Sequence, residues 1–277
     1  MTKKRATVIS LANQKGGVGK TTATVNLADY FARRGKRVLI IDLDAQGHVA
    51  KAFGKQPTNA LWNIMAADLE IHHVKVEARP GLEIIASSKK NASLPMYLAT
   101  EYKDRVNFAL SAVFTPFIEK EGYDYVFIDT PPAIGVLQTS AVVMSDYIIV
   151  PILPKRYALE GLADMIATYA QVTRMPELST PPVFFGVLVT QFDRVLRTTK
   201  EMLQNAGDML KNPSLILPPI PIDANIEKGC DVGQTIFEFA PNSPAAIGID
   251  IDNVGKSHNS MGKLGGYLHI GEIIEAL

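Results

Sequence analysis

The glycine-rich stretch at residues 13–22 (NQKGGVGKTT) constrains the fold of this chain more than any other feature. It follows an apolar run, residues 7–12, that predicts a buried strand, and it precedes an apolar-periodic segment, residues 20–34, that predicts a helix. Glycines between a strand and a helix let successive backbone N–H groups point inward beside the positive end of the helix. The order of strand, glycine loop and helix therefore predicts a phosphate-binding loop.

Within this loop the residue types match a nucleotide phosphate site. Lys20 is expected to reach the β and γ phosphates, and the Thr21 hydroxyl is placed to ligate Mg²⁺. The predicted nucleotide-binding residues of the loop are Gly16, Gly17, Val18, Gly19, Lys20, Thr21 and Thr22.

Two positions depart from the general phosphate-loop pattern. Gln14 stands where that pattern has a glycine, and Lys15 adds a second lysine next to the same site. With the segment Lys-Gly-Gly-Val-Gly-Lys-Thr, the chain resembles the deviant Walker ATPases, the family of ParA (Soj) and MinD. The resemblance implies that ATP and Mg²⁺ are bound, and that Lys15 crosses a dimer interface to the ATP of the partner subunit.

Carboxylates follow two further apolar runs. Residues 37–41 predict a strand that leads into Asp42-Leu43-Asp44, and residues 125–129 predict a strand that ends at Asp129. At the carboxyl ends of strands beside a phosphate loop, acids lie where Mg²⁺ and the attacking water sit. An aspartate there can also cap a helix or merely end a strand. The resemblance assigns Asp44 to the hydrolytic water and the metal, and Asp129 to the metal's water shell.

The remaining pattern predicts an α/β fold with a doubly wound, mostly parallel sheet flanked by helices. Further strands are expected at residues 82–86, 147–151 and 183–190, and helices at 93–120, 159–175 and 191–210. Pro116 is expected to kink or end its helix. All 277 residues are expected to form one ATPase domain whose glycine-rich segment at 247–277 diverges from the family.

Composition narrows the range of partners. Lysine and arginine number 28, and aspartate and glutamate also number 28, so any DNA binding needs a local basic patch. Cys230 is the only cysteine, and no apolar run approaches the ~20 residues of a membrane-spanning helix. We therefore expect a cytoplasmic protein that does not bind membranes.

Two candidate contact regions are less specific than the phosphate loop. Arg194, Arg197 and Lys200 recur every three residues, which fits either a solvated helix face or, as in ParA relatives, a contact with the DNA backbone. Pro221 and Asp223 stand where the family places a loop over the adenine, although Ile222-Asp223 replaces the family's usual Arg-Asn.

The resemblance implies a ParA-like ATPase that forms a homodimer around ATP. Such a protein binds non-specific DNA on the nucleoid, positions or segregates a cargo, and is released when a ParB-like adaptor stimulates hydrolysis. No room for an N-terminal helix-turn-helix domain is expected before the loop. The alternatives are a MinD-like membrane-associated regulator, for which the terminal segment lacks basic residues after Lys263, and a metal-cluster carrier, for which Cys230 supplies one thiol per chain.

Overall fold

A single sheet forms the centre of the protein. The computed structural model describes residues 5–155, 158–193, 197–250 and 263–277. The strands of the main sheet are β1 Thr7–Leu11, β2 Val38–Asp42, β3 Val76–Arg79, β4 Leu82–Ile85, β5 Tyr125–Asp129, β6 Tyr147–Ile152, β7 Val183–Val189 and β8 Ile216–Leu217. Their order is β3-β4-β2-β5-β1-β6-β7-β8. All neighbouring pairs are parallel except β3 and β4, so the predicted mostly parallel sheet is confirmed.

Helices connect these strands. The α-helices of the described ranges are α1 Lys20–Arg33, α2 His48–Ala52, α3 Ala60–Ala67, α4 Ile71–Val74, α5 Leu94–Tyr102, α6 Ala109–Glu121, α7 Val136–Met144, α8 Ala158–Val172, α9 Arg197–Leu210, α10 Asn225–Asp231, α11 Ile236–Phe239, α12 Pro244–Ile247 and α13 Gly266–Glu275. Two short strands, β9 Ile249–Asp250 and β10 Lys263–Leu264, pair antiparallel between α12 and α13.

The core lies on both faces of the sheet, as expected when helices cover both sides. Along β2, Val38 and Ile40 join the cluster that contains α1 and α13, whereas Leu39 and Ile41 join the cluster that contains α3, α5 and α6. These four residues are fully buried. The continuous apolar run of this strand is thereby explained, since alternate side chains enter opposite layers.

The sequence interpretation fails at residues 93–120. One helix was expected there, but α5 ends at Tyr102, a 3-10 helix covers Lys103–Phe108, and α6 begins at Ala109. Pro116 lies inside α6, which continues to Glu121, so of the two predicted effects the helix end is wrong and the kink stays a prediction. The break instead falls near Lys103, which has a positive φ of 47°.

The register of the sheet brings the candidate acids to one edge. Leu11 at the end of β1 pairs with Asp129 of β5, and Asp129 in turn pairs with Asp42 of β2. In an open α/β sheet, ligands bind outside the carboxyl ends of the strands. The phosphate loop, which follows β1, and the acids of β5 and β2 therefore meet at one end of three adjacent strands.

Candidate nucleotide-binding site

The loop between β1 and α1 has the backbone conformation that its glycines predict. Gly17 and Gly19 adopt positive φ angles of 70° and 85°. A Cβ atom at Gly19 would also lie 3.1–3.3 Å from side-chain atoms of Thr190 at the end of β7. The loop is thus held tightly against the sheet, and α1 begins directly after it at Lys20. This arrangement directs backbone N–H groups and the positive helix end to one place.

Lys20 lies at the base of the loop. Its side chain is 6% exposed, and its Nζ atom donates a 2.9 Å hydrogen bond to the backbone oxygen of Lys15. Burial lowers the pKa of Lys20, while the nearby carboxylates of Asp129 and Asp44 oppose that shift. The ammonium group is therefore folded back on the loop, where a phosphate can attract it.

Thr21 and Asp129 connect α1 to the end of β5. The Thr21 hydroxyl donates a 2.6 Å hydrogen bond to Asp129 Oδ2. Asp129 is fully buried, and burial raises its pKa to about 7, against the opposing effects of Thr21 and Lys20. Burial thus favours the protonated form of this carboxyl more than water does.

Asp42 is a further acid at this edge, to which the sequence analysis assigned no role. It is fully buried, and burial, followed by repulsion from Asp129, raises its pKa well above the usual range. Its Oδ1 atom accepts a hydrogen bond from the backbone N–H of Asp44. Within the described part of the chain, Asp42 Oδ2 and Asp129 Oδ1 are buried without a hydrogen-bond partner. Unpaired buried carboxylate oxygens are costly unless a cation or its water is present.

These donors fit Mg²⁺, which prefers oxygen ligands and keeps several waters and phosphate oxygens in its shell. The Thr21 hydroxyl and the Asp129 and Asp42 carboxylates supply the oxygens. Over the same described ranges, no three or more His, Cys, Asp or Glu side chains converge to enclose a metal by themselves.

Asp44 faces the same space from the loop after β2. Its Oδ1 atom accepts a 2.9 Å hydrogen bond from the backbone N–H of Gln46, and the residue is half-buried. It lines the cavity together with Lys20 and Thr21. Asp44 is thus placed beside the phosphate site, in a position from which a carboxylate can contact a water molecule.

The cavity above the loop has a volume of about 580 Å³. Its phosphate end is lined by Gly16, Gly17, Gly19, Lys20, Thr21 and Thr22. Val18 of the predicted set instead points into the protein, where it is 5% exposed and its carbonyl accepts a hydrogen bond from Thr190 Oγ1. The structure therefore brings six of the seven predicted loop residues to one cavity.

The far end of the cavity is built from parts of the chain that the sequence analysis did not assign. It is lined by Val25, Asn26, Ile226, Cys230, Gln234 and Ile236. Asn26 links α1 to α11, because its Nδ2 atom donates to the Thr22 carbonyl and its Oδ1 atom accepts from the Ile236 N–H. The one local signal was the sequence Thr235-Ile-Phe-Glu238, which forms a capping box at the start of α11.

The predicted adenine contacts lie elsewhere. Pro221 and Asp223 are not among the residues that line the cavity. Both carboxylate oxygens of Asp223 accept backbone hydrogen bonds, Oδ1 from Asn225 and Oδ2 from Ala245. Asp223 therefore stabilises the starts of α10 and α12, and its contact with adenine stays a prediction.

The predicted DNA residues are not assembled by the described structure. Arg194 lies outside the described residues. Arg197 and Lys200 fall in the first turn of α9, which begins at Arg197, and their side chains also lie outside the description. Their role in DNA binding remains a prediction.

Lys15 directly precedes Gly16, the first loop residue that lines the cavity. Its backbone N–H donates to Asn13 Oδ1, and its Nζ atom lies 3.1 Å from Glu160 Oε2 at the start of α8. The loop therefore carries two lysines with different surroundings. Lys20 is buried and lines the cavity, whereas Lys15 is half-buried and is not among the lining residues.

None of the helices in the described ranges combines the length and the apolar character that a transmembrane helix needs. The last of them, α13, lies on α1, with Tyr267, Ile270 and Ile274 buried in the cluster shared with that helix.

Comparison with known proteins places this site in a family. The profile described as AAA domain matches residues 6–179. The chromosome-partitioning ATPase Soj of Thermus thermophilus is 32% identical over 246 residues, covering 86% of this chain and 90% of the relative. Apo McdA of Cyanothece has a similar fold, with a TM-score of 0.77 at 19% identity over 86% of this chain and 94% of that one.

A second similar structure contains the expected ligands. Cobyrinic acid a,c-diamide synthase from Mycobacterium smegmatis, with a bound ATP analogue and magnesium, has a TM-score of 0.71 at 25% identity, covering 84% of this chain and 92% of that one. Nucleotide and Mg²⁺ thus occur in a protein of this fold. With its phosphate loop, its two lysines and its carboxylates at adjacent strand ends, the chain belongs to the AAA domain family and, within it, to the Soj/ParA-type ATPases of the MinD/ParA superfamily.

Proposed function

We propose that this protein is an ATP-dependent positioning switch. Two subunits close around two ATP molecules, the closed dimer binds DNA without sequence preference, and hydrolysis stimulated by a ParB-like adaptor releases it. The observation that carries the proposal is that Lys15, which precedes the cavity-lining Gly16, is itself not among the lining residues and extends its ammonium group to Glu160, because a lysine outside its own cavity can serve the nucleotide of another subunit.

The phosphate end of the cavity supports ATP binding in each subunit. The glycine loop offers backbone N–H donors, and Lys20 lies close enough to move from the Lys15 carbonyl to a phosphate oxygen. The base and ribose are assigned to the far end of the cavity, between Asn26 of α1 and Ile236 of α11. The site therefore holds both ends of one nucleotide between α1 and α10–α11.

Hydrolysis is assigned to residues at the ends of β2 and β5. Mg²⁺, when bound, neutralises charge that develops on the transferred phosphoryl group. Thr21 and Asp129 are positioned to hold it, with Asp42 behind them. Asp44, fixed by its bond from Gln46, orients the attacking water, while Lys20 and the partner subunit's Lys15 stabilise the negative charge of the transition state.

Dimerisation explains how a chain with balanced charge can bind DNA only in one state. Each subunit contributes few phosphate contacts, and pairing two subunits doubles the number Z of contacted phosphates. The dependence of affinity on salt then steepens with a slope of about −0.9Z. ATP hydrolysis would open the dimer, halve the contacts and release the DNA.

The structure favours this proposal over a membrane-bound regulator. A terminal amphipathic helix binds lipid through its apolar face. In α13 the apolar residues Tyr267, Ile270 and Ile274 are buried against the protein, and Glu272 and Glu275 are acidic. The apolar face of α13 is therefore already covered by its own chain.

Co-sedimentation with mixed-sequence DNA tests the proposal. We expect binding with ATP, none with ADP, a steep loss as salt is raised, and persistent binding for Asp44→Ala, in which hydrolysis is expected to be lost. Absence of DNA binding in every nucleotide state, with ATP-dependent dimerisation intact, would reject the DNA step. A vesicle of anionic phospholipids then tests the membrane alternative.

A further inference from the structure

The ammonium group of Lys15 is held by its own subunit in this structure. Its Nζ atom lies 3.1 Å from Glu160 Oε2. Glu160 lies in the first turn of α8, 145 residues further along the chain. The ion pair therefore joins the rim of the phosphate loop to the helix that follows β6.

Neighbouring residues also contact the backbone and the aliphatic part of the Lys15 side chain. A Cβ atom at Gly161 would lie 3.0 Å from Lys15 Cγ, 3.2 Å from its Cδ and 2.9 Å from Asn13 Oδ1. Asn13 Oδ1 accepts the Lys15 N–H, and Asn13 Nδ2 donates to the Pro151 carbonyl. A side chain at 161 would require Asn13 or Lys15 to shift, so glycine there gives the Lys15 stem room to lie against α8.

The two lysines of the loop are also linked to each other. Lys20 Nζ donates to the Lys15 carbonyl, as described above. Arriving phosphates compete for that ammonium group, because a charge-assisted bond to phosphate is stronger than one to a neutral carbonyl. Nucleotide binding then breaks the hydrogen bond from Lys20 to the Lys15 carbonyl. The ion pair between the Lys15 ammonium group and Glu160 stays in place.

We infer that Glu160 is a positioning residue that holds Lys15 on its own subunit until the partner's ATP competes for the ammonium group. Glu160 thereby opposes dimer closure and sets the ATP-dependent dimer affinity. The inference rests on the action of Lys15 across the interface in the proposed function. The partner's triphosphate carries several negative charges, so it can displace a single carboxylate.

The solvent exposure of the Lys15–Glu160 ion pair determines the expected change in dimer affinity. The Glu160 side chain is 67% exposed and that of Lys15 is 32% exposed. A pair this open to water shifts an equilibrium by about two- to five-fold. Two such pairs open when one dimer closes, so removing both should tighten the dimer by about 4- to 25-fold, the square of that range.

The test compares Glu160→Gln with the unmodified protein and two controls. Asp164→Asn removes one exposed charge from the same helix, and Lys15→Ala removes the lysine. The dimer dissociation constant of the full chain is measured by sedimentation velocity with Mg²⁺ and a non-hydrolysable ATP analogue. In the nucleotide-free protein, the rate at which an acylating reagent labels Lys15 is measured by peptide mass spectrometry.

Glu160→Gln should tighten the dimer by the stated factor and speed the labelling of Lys15, whereas Asp164→Asn should change neither by more than about two-fold. Loss of the dimer in Lys15→Ala, with an unchanged or weakened dimer in Glu160→Gln, would overturn the inference and leave the proposed function standing. A normal dimer in Lys15→Ala would instead reject the trans role of Lys15, and the inference with it.

Discussion

The Thr21 hydroxyl donates a 2.6 Å hydrogen bond to Asp129 Oδ2 and so joins the first turn of α1 to the end of β5. Thr21 directly follows the buried Lys20, and Asp129 ends the strand that pairs with β1. Because β5 also pairs with β2, Asp42 at the end of β2 lies next to Asp129. The residues predicted to hold phosphate, metal and water thus lie at the ends of three adjacent strands of one sheet.

Lys20→Ala is expected to abolish tight nucleotide binding. The ammonium group is buried at the base of the loop, and bonds from a charged donor to phosphate are strong, so affinity should fall on the order of 100-fold. Titration with a fluorescent ATP analogue measures the change. Lys120→Ala on α6, which is exposed and outside the cavity, is the matched control. Retained affinity in Lys20→Ala would refute the assignment of the phosphate loop.

Asp44→Ala is expected to keep ATP binding and lose hydrolysis by about 10²- to 10⁴-fold, because a group that acts on the attacking water contributes to the rate and little to ground-state binding. Asp44→Asn is the informative partner variant, since its side-chain oxygen can still accept the Gln46 N–H bond. Phosphate release at saturating ATP should be lost in both variants. Normal hydrolysis in Asp44→Asn would show that the residue only shapes the loop.

The nucleotide motifs could be predicted from sequence because their chemistry depends on local spacing. The loop, Asp44 and Asp129 each follow an apolar run directly, and parallel pairing places the ends of such runs at one edge. The fold class followed from the same runs. At residues 93–120, by contrast, helical periodicity continues through the 3-10 turn at Lys103–Phe108, so the pattern did not reveal the break.

Contacts between residues that are far apart in the chain could not be predicted from the sequence. At the far end of the cavity, Asn26 of α1 contacts Ile236, 210 residues further along the chain. In the loop, the Lys15 side chain lies against Gly161. No local pattern encodes either contact. The backbone bonds that Asp223 accepts from Asn225 and Ala245 were likewise not evident from its match to a family position.

Asp129→Asn is expected to change how stability depends on pH. Burial raises the Asp129 pKa to about 7, so between about pH 4 and pH 7 the native state binds a proton that the unfolded state, with a pKa near 3.9, has released. The contribution of this group to stability therefore falls as pH rises, by up to about 1.4 kcal/mol per pH unit. Asparagine has no such proton, and its oxygen can still accept the Thr21 bond.

Urea unfolding of the nucleotide-free protein from pH 5 to pH 8 measures this difference. The fall in unfolding free energy with pH should be shallower in Asp129→Asn, with a residual slope from Asp42, whose pKa is also raised. Asp164→Asn, an exposed acid on α8, should follow the unmodified protein. Parallel curves for all three proteins would contradict the raised pKa of Asp129.

Thr235→Val is expected to weaken the far end of the nucleotide cavity. Thr235 is 1% exposed, and its hydroxyl donates a 2.5 Å hydrogen bond to the buried Asp29 Oδ2, which also accepts from Arg33 Nε. Valine has nearly the same shape but cannot donate. Asp29 would lose one of these two donors, at a cost of about 1–2 kcal/mol in unfolding free energy.

Thr235→Ser is the matched control, because serine keeps the hydroxyl. Urea unfolding and ATP titration of both variants separate the hydrogen bond from the packing of the methyl group. Thr235 begins the capping box of α11 and lines the cavity, so Thr235→Val should lower both stability and ATP affinity, while Thr235→Ser should retain most of each. Unchanged stability and ATP affinity in Thr235→Val, with both lowered in Thr235→Ser, would mean that the methyl group, and not the bond to Asp29, holds this wall of the cavity against α1.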